Sequence, residues 1–213
     1  MSWIQDNIEL LNESNLIPRI LHLIWVGPPM PTNVLEYIEE WKTLMPDWTI
    51  RIWGNEDISE TNFPEHIVAK ILSCKKEAQK SDIMRYFIIQ KYGGVYVDTD
   101  VKPHRSLEPI RYMRSDIVLC HDNDVTWEYI SIGFFAAVPN HPLMNLACEY
   151  ASNANLNTPD IHMCTGPRLL GEAVKNLPPS NGSKYLLLPT HYFYVNEWNN
   201  NRFAQHLYAH SWK

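Results

Sequence analysis

Asp98-Thr99-Asp100 sets two carboxylates one residue apart at the end of an apolar run, Val95-Tyr96-Val97. On a continuing strand, residues i and i+2 point to one side. Two such carboxylates left alone repel each other and resist burial. A divalent cation resolves both problems, and carboxylate oxygens suit Mg2+ or Mn2+. The plainer alternative is a solvated Asp-Thr-Asp turn. Upstream, Asp82 and Arg85 have the spacing that lets two helical side chains reach one ligand. For them the plainer alternative is a surface ion pair that contributes little.

These residues need elements to hold them. Ile83, Met84, Phe87 and Ile88 form an apolar face at helical spacing, which predicts a helix from Ala78 to Lys91. Gly93 and Gly94 stop it, and Val95 to Val97 reads as a buried strand. That strand delivers the aspartates at its carboxyl end, where open α/β sheets bind ligands. Earlier, a strand from Arg19 to Gly27, a helix from Asn33 to Leu44 with Thr32 as N-cap, and a strand from Thr49 to Trp53 suggest a βαβ unit. Further helices are expected over residues 4 to 16, Glu65 to Cys74, Pro142 to Ala151, and from Thr165-Gly166-Pro167 to Leu177. Strands are expected at Ile117 to Cys120, Ile130 to Val138, Tyr185 to Leu188 and Tyr192 to Val195, with Val101-Lys102-Pro103 leaving its strand for a loop. Gly133 permits a close backbone approach. His121-Asp122-Asn123-Asp124 either lines an acceptor or forms a hydrated loop.

The string Ser81, Asp82, Ile83, Arg85, Tyr86, then Tyr92 to Asp100, resembles the core of glycosyltransferases that carry an Asp-X-Asp motif on a GT-A fold. More narrowly it is similar to the family 32 sugar transferases and to the catalytic domains of large clostridial glucosylating toxins. The resemblance implies one α/β domain over residues 1–213. This would be a Rossmann-like nucleotide-binding fold with a central mixed, mostly parallel sheet flanked by helices. It implies metal-dependent transfer of a sugar, with retention, from a nucleotide diphosphate sugar, a UDP-sugar first, with GDP-mannose as the alternative. The acceptor would be a saccharide or lipid-linked, in surface polysaccharide synthesis. By resemblance the catalytic residues are Asp98, Asp100 and Arg85, and the metal ligands are Asp98, Asp100 and His206, with His210 as the alternative histidine. Donor contacts would come from Trp25, Asp82, Arg85, Tyr96, Asp98, Ser211 and Trp212. An indole at a strand's carboxyl end offers a face to a base, although Trp25 could equally fill the core beneath its loop. Thr165-Gly166-Pro167 would lie near the donor sugar or simply start a helix. A histidine in the ligand set tilts the metal from Mg2+ towards Mn2+.

A chain of 213 residues with 45% hydrophobic and 20% charged residues has the composition of a globular domain. Its net charge of −6 gives a nucleic-acid partner no electrostatic support. Cys74, Cys120, Cys148 and Cys164 lack zinc-like spacing and read as buried free thiols of a reducing compartment. Met1 to Glu9 carries no signal-like pattern, so a cytoplasmic protein is expected, with peripheral membrane contact left open. Lys75, Lys76 and Lys80 form either a solvated face or a patch for an anionic membrane.

Two other classes compete. An apolar strand ending in Asp-X-Asp-Val also resembles the first motif of haloacid-dehalogenase-type phosphatases, but the motif lies mid-chain and no later acidic pair is evident. A nucleotide-sugar-binding module without turnover is the non-enzymatic alternative.

Overall fold

Leu21, Leu23 and Ile24 of β1 (Ile20–Ile24) are at most 4% exposed, because β1 runs parallel to a neighbour on each side, β2 (Thr49–Trp53) and β3 (Gly94–Val97). This computed structural model describes residues 16–121, 130–158, 164–178, 185–194 and 202–208. Beyond β3 the sheet continues through β6 (Ile130–Ala137), antiparallel to both β3 and β5 (Ile117–His121), and ends on β7 (Tyr185–Leu188), parallel to β5. The order is β2-β1-β3-β6-β5-β7, a mixed sheet in which β6 is the antiparallel member. A second, two-stranded sheet pairs β4 (Val101–Pro103) with β8 (Ala204–His206).

Strand alternation sorts the apolar side chains into two cores, one on each face. Tyr96, Ile117, Leu119 and Phe135 face one core, together with side chains from α2 (Glu65–Ser73), α3 (Glu77–Tyr92), α4 (Pro142–Asn153) and α5 (Pro167–Lys175). Val95, Val97, Val118 and Phe134 face the other, with α1 (Thr32–Leu44). Covering both faces is what a largely parallel sheet requires. All four cysteines are buried thiols outside any disulfide.

Several details differ from the sequence reading. Thr32 is the first residue of α1 and not its cap; the N-cap is Pro31, without a side-chain cap bond. Helix α3 has no single apolar face. Gln79, Asp82 and Arg85 are buried along with Ile83, Met84, Tyr86, Ile88 and Ile89, while Phe87 is only half-buried, because the helix lies in the middle of its layer. Asp98-Thr99-Asp100 does not continue β3. It turns, with the Val101 amide donating to Asp98 O at 3.2 Å, and Val101–Pro103 then pairs with β8 instead of entering a loop. The strand expected at Tyr192 to Val195 is a 3-10 turn over Thr190–Tyr192 followed by a turn. There Phe193 stacks on Phe134 at 3.9 Å between centroids, so packing under the sheet replaces pairing within it. Most of the expected leading helix, along with Val195, Asp122 to Asp124 and His210, lies outside the described residues.

The stop after α3 is steric. Gly93 and Gly94 have φ +62° and +91°, and a Cβ on Gly94 would come within 2.5 Å of Ile20 O. Only glycine lets the chain leave α3 and enter the sheet beside β1.

Candidate metal and nucleotide-sugar site

Tyr96 points to the α3 side of the sheet, and alternation sends Asp98 the same way. Arg85 meets it there, one Nη 3.1 Å from Asp98 Oδ1 and the other 3.1 Å from Asp82 Oδ1. Arg85 also donates to Ile132 O at 2.7 Å, and its guanidinium lies 4.6 Å from the Tyr96 ring centre. Asp82 accepts a bond from the Thr165 hydroxyl at 2.8 Å, and Asp98 Oδ1 accepts one from the Tyr96 hydroxyl at 2.6 Å. Arg85 is therefore a buried counter-charge shared by two carboxylates. Burial presses the Asp98 pKa upward, but Arg85 first, then His206 and Tyr96, outweigh it and hold the carboxyl at about 2. Burial likewise drives the Tyr96 phenol well above its usual range, so it stays a hydrogen-bond donor.

The two oxygens of Asp98 thus have different surroundings. Oδ1 is taken up by Arg85 and Tyr96. Oδ2 faces outward, 3.5 Å from His206 Nε2, which lies 3.4 Å from Asp100 Oδ1. The turn after β3 brings Asp100 round, and β4–β8 pairing, with Val101 opposite His206, brings in the histidine. Among the described residues, Asp98, Asp100 and His206 form a cluster whose ligand atoms lie within 4.8 Å of one another. Two carboxylate oxygens and an imidazole suit a divalent cation such as Mn2+. The backbone keeps space for the group: a Cβ on Gly133 would fall 2.7 Å from Asp98 Oδ2 and 3.3 Å from His206 Cδ2. The residues present fit a metal.

Trp25, half-buried, follows β1 at its carboxyl end, its indole nitrogen donating to Pro28 O at 2.6 Å. The structure therefore puts Trp25, Asp98 and Asp100 at the carboxyl ends of β1 and β3. It closes Asp82, Arg85 and Tyr96 beneath them at 5%, 5% and 1% exposure. Thr165 is fully buried, its hydroxyl on Asp82 and its carbonyl accepting from the Tyr86 hydroxyl at 2.9 Å. It ties α5 to α3. Ser211 and Trp212 lie outside the described residues.

Sequence reasoning missed the support on the β6 side. Ser131 and Tyr194 hydroxyls are hydrogen-bonded to each other, and Ser131 accepts from the Gly133 amide at 3.0 Å. The Tyr194 ring lies 5.4 Å from that of His206. Nothing local in the sequence marks this pair, which depends on β6 meeting the turn before β8.

A mixed, mostly parallel sheet flanked by helices, with an Asp-X-Asp turn at a strand's carboxyl end, is the arrangement of GT-A glycosyltransferases, and the fold of a solved structure agrees. The fold matches a solved structure described as PaToxG glycosyltransferase with a TM-score of 0.67, at 18% identity over 84% of this chain and 78% of that one. Residues 31–116 match the family described as a glycosyltransferase sugar-binding region containing a DXD motif. It is 26% identical over 198 residues to inositol phosphoceramide mannosyltransferase 1 of Schizosaccharomyces pombe, covering 89% of this chain and 58% of the relative. With a mannosyl phosphorylinositol ceramide synthase of Saccharomyces cerevisiae it shares 27% identity over 191 residues, 83% of this chain and 48% of the relative. The chain spans about half the length of these relatives.

Proposed function

We propose that the protein transfers a hexose from a nucleotide diphosphate sugar to an inositol-phosphate lipid, with retention at the anomeric carbon. The observation that carries this reading is the Asp98–Asp100–His206 cluster at the edge of the sugar-binding region. The named activities of the relatives favour mannose as the sugar, hence GDP-mannose ahead of UDP-sugars, and a lipid acceptor ahead of a polysaccharide.

Asp98, Asp100 and His206 would hold the cation, with Asp100 the principal direct ligand, since one Asp98 oxygen is already engaged. A divalent ion bound there supplies positive charge to the diphosphate leaving group. Arg85 keeps Asp98 ionised and aimed outward, and its burial keeps water from competing for that carboxylate. Trp25 offers its ring to the nucleobase. A lipid acceptor requires the site to meet a membrane surface, and the exposed Lys75 and Lys76 ahead of α3 are suited to anionic headgroups.

The test is incubation of the protein with Mn2+, a panel of nucleotide sugars and vesicles containing inositol phosphoceramide. Nucleoside diphosphate release matched by glycosylated lipid is the expected result. Nucleotide binding without turnover on any acceptor would replace this reading with a binding module, and phosphate release from simple phosphoesters would replace it with a phosphatase.

A further inference from the structure

His206 reaches the cluster from β8, which is three residues long and forms a two-stranded sheet with β4. A ribbon that short is marginal by itself, so other contacts must fix where the imidazole points. The turn that follows β7 supplies them. Phe193 O accepts from the His206 amide at 2.8 Å, and Tyr192 O accepts from the Phe203 amide at 3.1 Å. These bonds hold the backbone of β8 but leave the side-chain torsions of His206 open. Two rings adjoin the imidazole, Tyr208 at 4.4 Å and Tyr194 at 5.4 Å between centroids. Tyr208 is 39% exposed and Tyr194 only 7%, so Tyr194 is the wall with a fixed position.

The fixing is done from β6. The hydroxyls of Tyr194 and Ser131 are hydrogen-bonded to each other, and Ser131 Oγ also accepts from the Gly133 amide at 3.0 Å. Gly133 O in turn accepts from the Asp98 amide at 2.9 Å. One short piece of β6 therefore holds both the tip of the Tyr194 ring and the backbone of Asp98. The parts converge at Gly133. A Cβ there would come within 2.7 Å of Asp98 Oδ2, 3.0 Å of the Tyr194 hydroxyl and 3.3 Å of His206 Cδ2. A buried tyrosine bonded at its hydroxyl cannot tip without breaking that bond.

We propose that Tyr194 is a positioning residue for the metal site: pinned by Ser131, its ring keeps the His206 imidazole aimed at Asp98 Oδ2 and Asp100 Oδ1. This rests on the metal reading above and deepens it, by naming what supports the third ligand. Neither Tyr194 nor Ser131 is itself a ligand. A ligand set held in one geometry binds without first having to be ordered. Loss of a partner one step removed from a metal lowers affinity by about 10–100-fold in known sites. Ser131 and Tyr194 both act through His206, so their effect must disappear once the imidazole is gone.

The test compares the full chain in its wild-type form with Tyr194→Phe, Ser131→Ala, the two combined, and His206→Ala. Tyr194→Phe keeps the ring and loses the bond to Ser131, and Ser131→Ala loses the same bond from the other side. Mn2+ affinity is read from loss of the free-ion paramagnetic resonance signal. Each single variant should bind Mn2+ several-fold more weakly than wild type, and the combined variant about as weakly as Ser131→Ala alone. Adding Tyr194→Phe to His206→Ala should lower affinity no further. Pulsed resonance of bound Mn2+ should show nitrogen modulation from a coordinated imidazole in wild type, weakened in Tyr194→Phe and absent in His206→Ala. Wild-type affinity in both single variants would overturn the proposal. So would a several-fold loss from Tyr194→Phe in the His206→Ala background, which marks a role in structure alone. Either result leaves the metal site standing. Bound Mn2+ without nitrogen modulation in wild type overturns the proposal by removing His206 from the ligand set. No Mn2+ binding by wild type overturns the metal reading along with it.

Discussion

Arg85 Nη1 and Asp98 Oδ1 lie 3.1 Å apart with the guanidinium side chain 6% exposed. This pair divides the site into an inner half that is neutralised and an outer half left for a ligand. Removing the arginine would leave Asp98 and Asp82 without their shared counter-charge. Arg85→Met should destabilise the fold by about 3–5 kcal/mol in urea unfolding. Arg85→Lys should recover part of that loss, since it keeps the charge without the fork. An unfolding midpoint unchanged in Arg85→Met would contradict the role given to this pair.

Asp100 lies 3.4 Å from His206 and makes no part of the Arg85–Asp98 ion pair, which makes it the cleaner probe of the cluster. Asp100→Asn should leave the urea midpoint close to wild type. Its Mn2+ affinity should fall on the order of tenfold or more, about 1.4 kcal/mol or greater. Equal affinity in calorimetry would remove Asp100 from the ligand set.

Gly133 tests whether the space before Asp98 is needed. A methyl there would meet Asp98 Oδ2 at 2.7 Å and the Tyr194 hydroxyl at 3.0 Å. Gly133→Ala should cost about 1–3 kcal/mol of stability from overpacking and should weaken Mn2+ binding as well. Thermal unfolding with and without Mn2+ separates the two effects. An alanine variant that keeps the full metal-induced shift would show that the cradle is dispensable.

Acid should loosen the molecule away from the site. Glu108 accepts bonds from Arg19 at 2.9 Å, Trp48 at 2.7 Å, Arg111 at 2.8 Å and Tyr112 at 3.0 Å. Burial pushes its pKa up, but Arg19, Trp48, Arg111 and Tyr112 together bring it down from 4.5 to about 2. The folded state therefore binds its proton later than the unfolded chain. The stabilisation is complete above pH 4.5 and is lost as pH falls towards 2. Glu108→Gln should be less stable than wild type at pH 6, and the gap should narrow as the two are compared at successively lower pH. A gap that stays constant would contradict the assignment.

The legible parts of this protein were those written in local pattern. The β1–α1–β2 unit, the Gly93-Gly94 stop and the buried strand leading into Asp98 each carry their signal within a few residues. Long-range pairing hid the rest. Nothing near Val101 announces that it will face His206 across a two-stranded sheet. The Ser131–Tyr194 bond likewise exists only after β6 and the turn following Thr190–Tyr192 are packed together. Asp82 and Arg85 were found as a pair. That they are buried follows from α3 being enclosed, which one apolar face at helical spacing did not suggest.

The proposed transfer requires a cation and a nucleotide sugar to bind together at Asp98, Asp100 and His206. Thermal unfolding across GDP-mannose and UDP-sugars, each with and without Mn2+, reads this directly, because a ligand that prefers the native state raises its midpoint by mass action. The expected result is a clear rise for one donor that requires Mn2+ and vanishes in Asp100→Asn. A donor-induced rise of equal size without Mn2+, or one that survives in Asp100→Asn, would contradict it.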